Sequence, residues 1–160
     1  MAYFVLFLSL LFAGPARAQS EPMPVVASFS ILADLVEKVG GPRLAVTSLI
    51  PRATDPHVFQ PSPQDARLLQ SARLIFLNGY GLEGSVERLI ASTGQSKKRV
   101  ALGTKIKPLR LIENGQDQGL DPHVWHDVAN VRLYVEAIRD ALMKADPEGR
   151  DVYVTRSTAY

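Results

Sequence analysis

Short apolar runs without a helical period alternate along this chain with stretches that have one, and this alternation limits most severely what it can fold into. Pro24 to Ile31 (PVVASFSI) is apolar and β-branched on both sides, the pattern of a strand buried on two faces. Ile31, Leu32, Leu35, Val36 and Val39 then fall on one helical face, and Gly40-Gly41-Pro42 ends that helix. Leu44 to Ile50 (LAVTSLI) predicts the next strand, followed by a polar, proline-rich loop from Pro51 to Pro61. Ser62-Pro63-Gln64-Asp65 carries agreeing helix-start signals: Ser as N-cap, Pro at the first helical position and an acid in the first turn. That helix turns Leu68, Leu69 and Ala72 inward. Leu74 to Leu77 predicts a third buried strand, broken by Asn78-Gly79, and a helix from about Glu83 to Ala91 and a short strand around Val100 to Leu102 follow. Glu113 to Leu120 reads as a loop. Asp127 caps a long helix with Val131, Val135, Ile138 and Leu142 on one stripe, ending before Asp146-Pro147. Strands and helices in alternation, joined by short links, predict an α/β fold with a parallel sheet flanked by helices on both faces.

The two ends of the chain read differently. Tyr3 to Phe12 is an apolar run, followed by Gly14, Pro15 and Ala16-Arg17-Ala18. Its length and the small residues before the expected cut predict a secretory signal peptide over residues 1–18, cleaved after Ala18. The run is too short for a membrane-spanning helix, which needs about 20 apolar residues. Export with no cysteine predicts a chain without disulfides, thiolate metal sites or a lipid-bearing Cys at the cut. Eighteen Lys and Arg face 16 Asp and Glu, and the only basic run is Lys97-Lys98-Arg99, so nucleic acid is not an expected partner. At the other end, Glu148 to Tyr160 begins a helical pattern with no stop signal, and the sequence is expected to end inside an element.

Two of the three histidines stand in nearly the same words, Asp55-Pro56-His57-Val58-Phe59 and Asp121-Pro122-His123-Val124-Trp125. Proline fixes its own φ and biases the preceding Asp toward an extended shape, so the backbone entering each His is stiff. Both copies lie just upstream of a helix start, on the loops where an open parallel sheet binds ligands. Two imidazoles on such loops could converge on one ion. Asp55 and Asp121 could orient the loops or the rings, and Phe59 and Trp125 could exclude water. A histidine in a proline-rich loop is also an ordinary solvated side chain, and on spacing alone that reading stays open.

Wider wording adds a resemblance. DPHVFQPSPQD from Asp55 to Asp65, NGYGLE from Asn78 to Glu83, and DPHVWHDVAN from Asp121 to Asn130 follow the opening VVASFSILADLVEKVGG in that order. Together they resemble the zinc- and manganese-binding receptors of bacterial metal-uptake ABC transporters, the cluster 9 (type A-I) solute-binding proteins, from about Pro24 to Tyr160. The resemblance implies two α/β lobes joined by a long rigid helix, with the ion in the cleft between them. Residues 19–147 would form the N-terminal metal-binding lobe and residues 148–160 the start of the interlobe helix, with the C-terminal lobe absent here. His57 and His123 match the two ligands supplied by the N-terminal lobe; a His or Glu and an Asp would come from the other lobe. The cargo would be Zn(II) or Mn(II), the partner a membrane ABC permease, the location the periplasm, and the full-length protein a monomer.

His126 departs from the family wording, which has an apolar residue there; it reads as a solvated side chain at a helix start rather than an extra ligand or a gate. ENGQDQGL, from Glu113 to Leu120, holds no histidine, so the metal-collecting loop of many zinc-specific members is not expected. Neutral imidazole suits Zn(II) and other borderline first-row ions. No G-x-S-x-G, H-E-x-x-H or phosphate loop is present, and the chain is not expected to be an enzyme. A zinc-dependent hydrolase using His126 or Asp127 for proton transfer, and a receptor for an organic or iron-chelate ligand, remain the alternatives.

Overall fold

Residues 21–160 are described by a computed structural model, and strand β1 (Met23–Phe29) runs through the middle of its main sheet. Val25, Val26 and Ala27 are buried on both sides of β1, which is why its sequence lacks polar alternation. β2 (Leu44–Ile50) pairs with one edge of β1, and β3 (Leu74–Leu77) with the other. β4 (Arg99–Ala101) closes an all-parallel sheet of order β2-β1-β3-β4. The signal peptide expected over residues 1–18 lies outside the described residues. Among the described residues no helix is long and apolar enough to cross a membrane.

Helix α1 (Ser30–Gly40) carries the chain outward from β1 to β2; α2 (Pro63–Ser71) then carries it back across β1 to β3. The right-handed rule for crossovers between parallel strands puts α1 on one face and α2 with α3 (Gly84–Ser92) on the other, and α2 packs against α3. The reversal places a topological switch point at the carboxyl ends of β1 and β3, where such sheets bind ligands. The expected start of α2 is seen in full: Ser62 Oγ accepts from the Asp65 N–H while Asp65 accepts from the Ser62 N–H at 2.6 Å. Asp127 caps α4 (Val128–Ala145) by accepting from the Ala129 N–H at 2.9 Å.

Several expectations are corrected. Glu113 to Leu120 is not a plain loop: β5 (Arg110–Glu113) and β6 (Gln116–Leu120) form an antiparallel hairpin outside the main sheet. Asn114 and Gly115 both take positive φ, 52° and 74°, the conformation an Asn-Gly turn supplies most readily. The strands themselves are largely exposed, Ile112 and Leu120 included, so no buried alternation marked them; Arg110 instead binds Asp117 across the pair. Leu102 leaves β4 for a 3-10 turn, and the inward stripe of α4 includes Tyr134, fully buried, while Val131 is only partly covered.

The last helix, α5 (Arg150–Ala159), packs against α1 and α4. Arg43 grips Asp146 through two hydrogen bonds of 2.7 and 2.8 Å, and the Tyr153 hydroxyl donates to the same carboxylate at 2.5 Å. Arg43 holds the Asp146 carboxyl below the usual carboxylate range, while burial and that carboxylate push the Tyr153 hydroxyl up to about 12. Gly149 makes the packing possible, because a Cβ there would lie 2.5 Å from both Arg43 Nε and Asp146 Oδ2. Arg156 adds a bond from Nε to the Lys38 carbonyl.

Candidate metal centre

Both D-P-H loops lie at the carboxyl end of the sheet, His57 between β2 and α2 and His123 between β6 and α4. The shared words give a shared turn. Asp55 Oδ1 accepts from the His57 N–H at 2.9 Å, and Asp121 Oδ1 accepts from the His123 N–H at 2.9 Å. Each aspartate thereby bonds the backbone two residues on, an Asx turn that the intervening proline stiffens.

The turns bring the two rings together. His57 Nε2 and His123 Nε2 stand 3.2 Å apart, with ring centroids at 5.3 Å. One ion at a typical Zn–N distance of about 2.1 Å from both nitrogens would subtend an angle of about 100° across that gap, a normal value for a tetrahedral or octahedral ion. The His123 ring is also oriented from behind, since Nδ1 lies 2.7 Å from Asp121 Oδ1. An ionised carboxylate only accepts, so Nδ1 carries the proton, and in that tautomer it is Nε2 whose lone pair could face an ion. Asp121 is held ionised below the usual carboxylate range, first by the His123 N–H and further by the ring. Among the described residues no group of three or more His, Cys, Asp or Glu side chains could hold a metal ion.

Trp125 lies against one of the two rings, its centroid 5.4 Å from that of His123. Phe59 does not. It packs against the core, with its carbonyl accepting from Ser85 Oγ at 2.5 Å, and Phe29 at the end of β1 is the second aromatic, 5.1 Å from Trp125. Phe29, Ile31, Leu82 and Trp125 line, together with both histidines, a cavity of about 210 Å³. His126 is exposed, its ring centroid 6.0 Å from that of His123; it does not line the cavity shared by the two histidines, but with Lys107, Asp127, Asp121 and His123 it lines a neighbouring one.

Behind the histidines lies a polar lattice that the sequence reading did not find. Ser28, Asn78, Glu83 and Tyr134 are all buried. Glu83 Oε1 accepts from Ser28 Oγ at 2.5 Å and from the Asn78 N–H at 2.8 Å. Burial pushes the Glu83 carboxyl up, and those donors oppose the shift. Asn78 Nδ2 donates to the Pro122 carbonyl at 2.9 Å, and Tyr134 donates to Asn78 Oδ1 at 2.5 Å. The only signal for it was NGYGLE, polar residues at the end of a buried strand, where a polar group needs a partner.

Residues 25–160 match the family described as the zinc-uptake complex component A, periplasmic. The chain belongs to that family. Over 140 residues it is 41% identical to the manganese-binding lipoprotein MntA of Halalkalibacterium halodurans, covering 88% of this chain and 45% of that protein. It is 30% identical to the manganese ABC transporter substrate-binding lipoprotein PsaA of Streptococcus pneumoniae, covering 97% of this chain and 54% of the relative. The Mn-bound periplasmic metal-binding protein of Candidatus Liberibacter asiaticus superposes with a TM-score of 0.75 at 28% identity, over 85% of this chain and 50% of that one. This member of the zinc-uptake family therefore has the α/β fold of solved periplasmic metal-binding proteins, and it spans about half the length of the relatives it matches. All three are named for the metal they bind or the transporter they serve, not for a reaction.

Proposed function

We propose that this chain belongs to an extracytoplasmic receptor that captures Mn(II) or Zn(II) through His57 and His123 and hands it to an ABC permease. The observation that carries the reading is the convergence of two Nε2 atoms to 3.2 Å from loops far apart in sequence, one ring with its tautomer set by a carboxylate. Two imidazoles leave a four- to six-coordinate ion unsaturated. The remaining positions are assigned to the half of the relatives' length that this chain does not span. Exposed Ile31 and Val58 beside the histidines and exposed Val128 at the start of α4 support a second lobe closing there, with α5 leading toward it. Mn(II) is the cargo to test first, because the relative at 41% identity is named as manganese-binding. The receptor works as a monomer, without nucleic acid.

Calorimetry on the full-length protein tests the reading. Tight divalent-metal binding is expected in the unaltered protein. Removing both imidazoles (His57→Ala with His123→Ala) should weaken it at least about 1,000-fold, half the ligands of a site worth roughly 10 kcal/mol or more. No tight binding, or binding that the double variant leaves unchanged, would sink the reading.

A further inference from the structure

The peptide group joining Pro122 to His123 is gripped at both ends. Its N–H is taken by Asp121 Oδ1 at 2.9 Å, and its carbonyl accepts from Asn78 Nδ2 at 2.9 Å. Proline has no N–H, so Pro122 offers the lattice only that carbonyl, and Pro122 is buried. The Asn78 amide has one permissible orientation. Its nitrogen faces two carbonyls, Pro122 and Gly79, which only accept, and its oxygen receives the Tyr134 hydroxyl. Its backbone is tied in turn to Glu83, and Glu83 to Ser28 on β1. A continuous set of hydrogen bonds thus runs from the central strand to the residue before His123. The equivalent peptide at Pro56–His57 is held through its N–H by Asp55, and no hydrogen bond to the Pro56 carbonyl matches it among the described residues.

We propose that Asn78 is a positioning residue for metal capture: it fixes the His123 loop to the sheet, making His123 the rigid ligand to which the exposed His57 adjusts. The inference rests on the proposed function in taking both histidines as ligands. Its physical basis is preorganisation, since a ring held in place before the ion arrives loses less freedom on binding. A surface aspartate alone would leave the loop free to rock about its turn. The buried amide prevents this, because withdrawing Nδ2 would strand a buried carbonyl without a partner.

Asn78→Asp in the full chain is the sharpest variant. Aspartate still accepts from Tyr134, yet it presents an oxygen to the Pro122 carbonyl where a donor stood. Mn(II) affinity should fall about tenfold or more, the size expected when the support behind a ligand is lost. Tyr134→Phe leaves Asn78 in place but frees its amide, and should cost about threefold, one neutral hydrogen bond. Leu77→Ala is the control, a fully buried side chain one residue away and outside the lattice. It should lower the melting temperature while leaving affinity within about twofold, measured well below every melting transition.

Unchanged affinity in Asn78→Asp overturns the inference, and so does an equal loss in Leu77→Ala, which would mark a general effect of stability. A crystal structure of metal-free Asn78→Asp separates this from failure of the proposed function. If the unaltered full-length protein binds no metal, the function fails, while a His123 loop unmoved in that variant would still overturn the positioning role. The expected result is a displaced His123 loop on an unchanged sheet.

Discussion

Asp55-Pro56-His57 and Asp121-Pro122-His123 share three residues and one turn, and they differ in what holds that turn to the rest of the molecule. In the first loop the aspartate reaches only the backbone, and His57 is exposed on a segment of residues that are mostly exposed themselves. In the second, one carboxylate oxygen holds both the backbone and the ring, a buried asparagine holds the preceding carbonyl, and Trp125 lies against the imidazole. The His123 side chain keeps only 35% of its exposure. A tripeptide therefore specifies the path of the chain into each histidine, and long-range partners specify where the ring points. For the metal receptor proposed above, one fixed and one adjustable histidine would combine preorganisation with an exit.

Removing each aspartate puts that contrast under the most strain. Asp121→Ala takes away the ring's acceptor as well as the turn, and metal affinity should drop about 10- to 100-fold. Asp55→Ala loses one exposed backbone bond and should cost about threefold. Equal losses, read by calorimetry on the full-length protein, would show that the two loops are held alike.

The aromatic residues at matching places give the next test. Trp125→Ala exposes one side of His123 and should weaken binding about fivefold, as its share of the shell that keeps water from the ring is lost. Phe59→Ala should leave affinity within about twofold and lower stability by about 1–3 kcal/mol, because Phe59 packs on the core instead of the cavity. Thermal melts run beside the titrations separate the two effects.

Acid should separate the loops from the frame that carries them. Asp146 is lowered by Arg43, so the folded state binds fewer protons there than the unfolded chain does. Its contribution is complete above the ordinary aspartate value of about 3.9 and is lost as pH falls through the lower folded value. Docking of α5 should thus persist at pH 5 and weaken only in stronger acid. Hydrogen exchange of the α5 amides measures this, and Asp146→Asn should remove the acid step. The smallest effect is expected from His126→Ala, which should change metal affinity by less than about twofold, since that exposed ring does not line the cavity that His57 and His123 share. A tenfold loss would add a third histidine to the site and end the two-loop comparison.

Much of this was legible along the chain. β2 and β3 fall where their apolar runs fall, and α2 and α4 begin at the caps read from Ser62 and Asp127. These are local effects, in which neighbouring residues settle the backbone by sterics, burial period and side-chain bonds to nearby N–H groups. The D-P-H turns belong with them. The β5–β6 hairpin was missed although Asn114-Gly115 announces its turn, because exposed strands held by an Arg–Asp pair carry no burial period.

By itself, then, the sequence determined the order of the main-sheet strands and the helices between them, the two stiff turns and the presence of an imidazole on each. Only the tertiary structure decided that the imidazoles meet, that Phe29 and not Phe59 completes their aromatic wall, and that Asn78 and Tyr134 stand behind one of them. The physical reason is separation along the chain. A helix cap or an Asx turn closes within a few residues, whereas the grip on Pro122 joins atoms 44 residues apart and the two rings 66 apart. Such contacts exist only after the crossovers have brought β1, β3 and the start of α4 to one end of the sheet, and no local pattern records them.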